Sequence, residues 1–76
     1  METKSPTIGE LDEAGVRLYS RWQSMKTGAE LIVVSRSWQP GGFIIVNVLD
    51  VRRERTAEVR ADDWLRWIRS GSVKRN

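Results

Sequence analysis

The chain has 76 residues and a formal net charge of +3, with ten arginines among its thirteen cations and no cysteine or histidine. That length allows one domain with a small core. Without cysteine there is no disulfide and no thiolate metal site. Without histidine the commonest general base and the commonest metal ligand are missing. An enzyme is therefore not expected, and neither is a cofactor or a bound metal. Carboxylates alone could hold a hard cation, but no loop has calcium-loop spacing.

Residues 1–6 are polar and are expected to be flexible. The opening "METKSPTIGE" lacks the apolar core of a signal peptide, and no apolar run approaches membrane-spanning length. These features fit a cytoplasmic protein that does not contact a membrane.

Residues 7–27 admit two readings. In the first they form one helix: Ile8, Leu11, Leu18, Trp22 and Met25 recur at helical steps, Thr7 and Glu10 fit a capping box, and Lys26 with Gly28 resembles a helix end. Gly9 and Gly15 oppose this, each costing up to ~1 kcal/mol in a helix interior. In the second reading a short helix over residues 8–14 stops at Gly15, and a strand follows over residues 16–22. That strand would place Leu18, Ser20 and Trp22 on one face and Arg17, Tyr19 and Arg21 on the other. The balance tips toward the second reading.

The middle of the chain is clearer. "ELIVVSRSW" (30–38) and "GFIIVNVLDV" (42–51) are β-branched and apolar, and Pro40-Gly41-Gly42 separates them, so an antiparallel hairpin is predicted. The turn "RRER" (52–55) leads to a third strand, "TAEVR" (56–60). A helix follows over "ADDWLRWIRS", with Ala61, Trp64, Leu65 and Ile68 on one face and Trp67 at its edge. Asp62 and Asp63 favour the positive end of its dipole, and one of them could cap it. Asp62 and Arg66 are spaced for an i,i+4 pair, and Gly71 suits the left-handed terminus. Residues 71–76 are expected to be a basic flexible tail outside a single domain of residues 7–70. The predicted fold is α+β: a small curled antiparallel sheet of three or four strands with a C-terminal helix and, on the second reading above, a short N-terminal helix.

The order W-x-x-x-x-T-G-x-x-L-x-V-V (Trp22 to Val34), then "GGFIIVNV", a basic turn and V-x-A-D-D-W-L-x-W-I resembles short phage and prophage orphan proteins that look like small Src-homology-3-like barrels. The resemblance spans residues 16–68 and rests on glycine and apolar spacing. It implies a regulator or partner-binding module and carries over no functional residue.

Four constellations could carry function. Arg52, Arg53 and Arg55, with Lys74 and Arg75 nearby, could reach phosphates; the bland alternative is a solvated turn that protects a strand from aggregation. Arg17, Tyr19 and Arg21 would form a nucleic-acid platform if they share a strand face, and ordinary surface residues otherwise. Trp38, beside a loop, could anchor a protein interface or fold back on its hairpin. Finally, the 42–51 strand is apolar on both faces, with Phe43, Ile45, Leu49 and Val51 on one and Ile44, Val46 and Val48 on the other. One face of a sheet covered by a single helix would meet water unless the N-terminal segment or a second copy covers it. Ile44, Val46 and Val48 are thus candidate interface residues, and a homodimer or another protein partner is expected. The leading expectation is a non-enzymatic regulatory protein that contacts nucleic acid through arginines. Its rivals are a protein-binding inhibitor or adaptor and a structural subunit of an assembly.

Overall fold

The computed structural model describes residues 5–76. The fold is α+β, with a five-stranded antiparallel sheet, a short N-terminal helix and a longer C-terminal helix. Helix α1 spans Ile8–Glu13, followed by strands β1 (Arg21–Ser24), β2 (Glu30–Gln39), β3 (Phe43–Asp50) and β4 (Arg55–Arg60). Helix α2 spans Ala61–Ser70, and β5 spans Val73–Arg75. The sheet order is β4-β3-β2-β1-β5.

The short-helix reading of residues 7–27 describes the chain, with one displacement. Thr7 Oγ1 accepts the Glu10 amide N–H at 3.2 Å and so caps α1. Gly15 ends the helix at φ 86°. That backbone angle favours glycine, and the flexible end of the Arg75 side chain lies where a Cβ would point. The strand expected at residues 16–22 begins only at Arg21. Residues 16–20 form a loop, with Tyr19 at φ 64° and its N–H donating to Val33 O at 2.6 Å. The reach from Gly15 to the sheet takes a turn, which breaks the alternation expected there.

The β2–β3 hairpin pairs Leu31 with Asp50 through to Gln39 with Phe43, with one irregularity between Val33 and Ser35. A bulge of one residue reverses the alternation of a strand. Before it, Leu31 and Val33 point to the inner face; after it, Arg36 and Trp38 do, opposite Val46 and Ile44. Arg36 therefore turns inward. Its side chain is 14% exposed, ion-paired to Asp12 and hydrogen-bonded to Val16 O at 3.1 Å. This pair ties α1 to the sheet.

The core lies between the inner face of the sheet and the two helices. Leu11, Val16, Trp22, Val33, Ile44, Val46, Val48, Ala61, Trp64 and Val73 are buried in it. The Trp22 and Trp64 rings meet edge to face at 5.6 Å. Leu65 and Ile68 pack at its margin, as their helical spacing requires. The α2 ends differ in detail from expectation. Arg60 occupies the N-cap position without a side-chain cap bond, because a guanidinium has no acceptor to offer the helix N–H groups, and Asp62 pairs with Arg60 at 3.2 Å. Asp63 pairs with Arg66 at 3.1 Å, in place of the expected Asp62–Arg66 pair. Gly71 takes the left-handed position at φ 78°.

The C-terminal residues correct the expected flexible tail. Val73–Arg75 pairs with β1, so Ser24 faces Val73 and Trp22 faces Arg75. Val73 is buried, and this anchors the strand although its neighbours are polar. The domain therefore runs past residue 70. At the other end, residues 1–4 of the expected flexible segment lie outside the described residues, while Pro6 is buried rather than loose. Among the described residues no helix is long and apolar enough to cross a membrane.

Candidate nucleic-acid interface

The β3–β4 connection is a turn over residues 51–54, in which Asp50 Oδ1 accepts the Arg53 N–H at 3.2 Å and Glu54 takes φ 54°. An aspartate bonding to a backbone N–H three residues on is a local turn device. Arg52, Arg53, Glu54 and Arg55 are all exposed. Among the described residues no carboxylate pairs with Arg52, Arg53 or Arg55. By contrast, Arg21, Arg36, Arg60 and Arg66 each pair with an acid. Four arginines are thus matched to acids; of the described cations that are not, Arg52, Arg53 and Arg55 cluster at the β3–β4 connection, whereas Arg17, Lys26, Arg69, Lys74 and Arg75 lie elsewhere. Glu54 is the single acid within that turn.

Lys74 and Arg75 do not join this turn. They lie on β5, at the opposite edge of the sheet from β4. Lys74 faces Gln23 on the outer side, and Arg75 turns toward Gly15. Arg17, Tyr19 and Arg21 do not form a strand platform. Arg17 and Tyr19 sit in the loop before β1, where Arg17 Nε donates to Asp12 O at 3.2 Å, and Arg21 reaches Glu30 at 3.7 Å. Tyr19 is 72% exposed, without two flanking cations on a shared face.

The proposed protein interface also divides. Ile44, Val46 and Val48 are buried beneath the helices and form the core, so they offer no surface to a partner. Their helix cover decides this, since α2 packs on β3 from that side. The outer face of β3 carries Phe43, Ile45 and Leu49, all half-buried, with the Arg60 guanidinium 4.4 Å from the Phe43 ring centre. Trp38 is 57% exposed near the hairpin tip.

A groove that sequence reasoning did not identify lies at the same end of the sheet as the arginine turn. It encloses about 530 Å³ between the β1–β2 turn and the C-terminal end of α2, lined by Met25, Lys26, Leu31, Trp67, Ser70 and Ser72 among others. Met25 and Trp67 are both partly exposed there. The one signal in the sequence was the position of Trp67 at the edge of the apolar helix face. Among the described residues no three His, Cys, Asp or Glu side chains gather as a metal site. Compared with protein-family models, curated proteins and solved structures, the chain matches none.

Proposed function

We propose that this protein is a small, non-enzymatic regulatory binding protein that contacts nucleic acid through the arginines of the β3–β4 turn. One observation carries this reading: Arg52, Arg53 and Arg55 are exposed, make no ion pair among the described residues and crowd into one short stretch, whereas the other arginines are either matched to carboxylates or, like Arg17, Arg69 and Arg75, dispersed over separate elements. Guanidinium forks suit phosphate oxygens, and a short turn fixed by the Asp50–Arg53 backbone bond holds the three stems close together. Lys26 lies in the neighbouring β1–β2 turn and adds positive charge at this end.

The test is binding of duplex and single-stranded oligonucleotides at low salt, measured by gel shift or anisotropy. Affinity should fall steeply with salt. Replacing Arg52, Arg53 and Arg55 by alanine should weaken binding and, for duplex, flatten the logarithmic salt slope by about 2 to 3 if each arginine meets one phosphate. Absence of binding to either form by the wild-type protein would discard the reading.

A protein-binding role is the alternative, favoured by two separate features, the exposure of Trp38 at the hairpin tip and the apolar outer face around Ile45, on the opposite side of the sheet from Trp38. That face could also meet a second copy of the chain. Under this reading Trp38→Ala abolishes partner capture if the tip is the contact, and Ile45→Lys abolishes it or lowers the mass in solution if the outer face is, with the fold kept in both. Neither change should affect nucleic-acid binding through the turn.

A further inference from the structure

The groove beside Trp67 combines an aromatic ring, a thioether, hydroxyls and a rim cation, and the arginine turn lies close by. Leu31 lines the groove and is the Cα partner of Asp50, which in turn pairs with Arg55. Directly opposed residues of antiparallel strands project to the same face, so Leu31, Asp50 and Arg55 form one row across the sheet. Arg55 is two strand spacings, about 10 Å, from Leu31. The carboxylate between them is already engaged, since Asp50 Oδ1 accepts the Arg53 N–H.

Trp67 is held from within. Its ring centre lies 6.0 Å from that of the buried Trp64 at a 55° tilt, and it remains 38% exposed. A braced, partly open indole can stack on a planar ligand with little loss of rotamer freedom. Met25, half exposed across the groove, supplies a polarisable second wall. Ser70 and Ser72, both exposed, line the groove with their hydroxyls 2.8 Å apart, and Ser70 also donates to Trp67 O at 3.1 Å. This is the C-terminal end of α2, where the helix dipole is negative. It disfavours a phosphate at this end of the groove and favours the amino groups of a neutral heterocycle. The nearby cations are Lys26, which lines the groove, and Arg55, farther along the row.

We propose that this groove seats one unstacked nucleobase of a single-stranded nucleic acid, with Trp67 as its stacking surface and Lys26 and the turn arginines on neighbouring phosphates. The inference rests on the nucleic-acid reading above and sharpens it. A duplex keeps its bases stacked and cannot place one in the groove, so the groove contributes only to single-strand binding.

The experiment compares a labelled single-stranded oligonucleotide with a duplex of the same length at about 50 mM salt. The proteins are wild type, Trp67→Leu, Met25→Glu and the triple arginine-to-alanine variant, each checked for folding by circular dichroism. Trp67→Leu should weaken single-strand binding about 5- to 150-fold, the range of one lost base stack, while changing duplex binding less than about twofold. Met25→Glu places a carboxylate at the groove wall and should show the same selective loss. If Trp67→Leu does not fold, the half-exposed Met25 position decides the question. The single strand, but not the duplex, should quench tryptophan emission. Equal losses for the two nucleic acids, or no loss from Met25→Glu and Trp67→Leu, overturn the groove proposal. In that case arginine-dependent binding of both forms leaves the broader reading standing. Failure of the wild-type protein to bind either form overturns both.

Discussion

At the level of single residues, a buried tryptophan, an exposed one and a covered arginine do different kinds of work. Trp64 is fully buried against Trp22, and its indole N–H has no hydrogen-bond acceptor among the described residues. A buried unpaired donor costs about 1–3 kcal/mol, so the burial of the ring must outweigh it. Trp64→Ala should destabilise the fold by about 3–5 kcal/mol. Trp64→Phe should cost clearly less, because it removes the unpaired donor while keeping much of the volume. Trp38→Ala, at an exposed position, should change stability by only about 0.5 kcal/mol. Urea unfolding of the three variants checks this order, and a Trp38 effect as large as that of Trp64 would contradict it. Arg36 is the other discriminating residue. Its pairing with Asp12 joins elements far apart in sequence, with the guanidinium mostly covered. A double-mutant cycle on Arg36 and Asp12 should show coupling of about 1–2 kcal/mol. The exposed Arg66–Asp63 pair should show about 0.5 kcal/mol or less, because solvent screens it and side-chain entropy opposes it.

At the level of elements, the hairpin and α2 follow from local chemistry, and β5 does not. Pro40-Gly41-Gly42 between two β-branched runs left one plausible pairing, and the observed register agrees with it. The Ala61, Trp64, Ile68 spacing similarly fixed which side of α2 is buried. The segment "VKR" carries a single apolar residue and follows a helix-ending glycine, so it reads as a solvated tail. It becomes a strand because Gly71 turns the chain back and β1 has an unpaired edge to receive it. The resulting alternation is testable. Val73→Asp should cost more than about 3 kcal/mol, since it buries a charge without a partner, whereas Lys74→Asp should stay within about 0.5 kcal/mol. Thermal unfolding of the two variants distinguishes a paired strand from a loose tail, for which both changes would be mild.

At the level of the whole molecule, the fold separates bracing from display. The radius of gyration is 11.9 Å, close to the roughly 11 Å that a compact chain of this length should have. The 36 Å long axis is nearly matched by β2, whose ten residues advance about 3.3 Å each. The hairpin tip with Trp38 therefore extends beyond the helix cover, and the arginine turn sits at the other end. Because Arg52, Arg53 and Arg55 are exposed and make no ion pair among the described residues, their triple replacement by alanine should lower stability by no more than about 1 kcal/mol. Under the proposed nucleic-acid function, the same variant should also bind oligonucleotides much more weakly than the wild-type protein. A large fall in melting temperature would instead mark these arginines as structural.

The sequence by itself determined the fold class, the hairpin, the tryptophan-bearing helix and the cationic turn, because each depends on periodicity or turn chemistry within a short window. It also placed Trp64 inside and Trp67 at the rim. Tertiary structure decided which face of β3 is covered, since both faces are equally apolar and only the position of the helices distinguishes them. It also decided the bulge after Val33, which leaves no signature in Val33-Val34-Ser35 yet turns Arg36 inward. The groove beside Trp67 belongs to the same class: its walls come from β1, β2, α2 and the turns between them, brought together only when the last three-residue strand closes against β1.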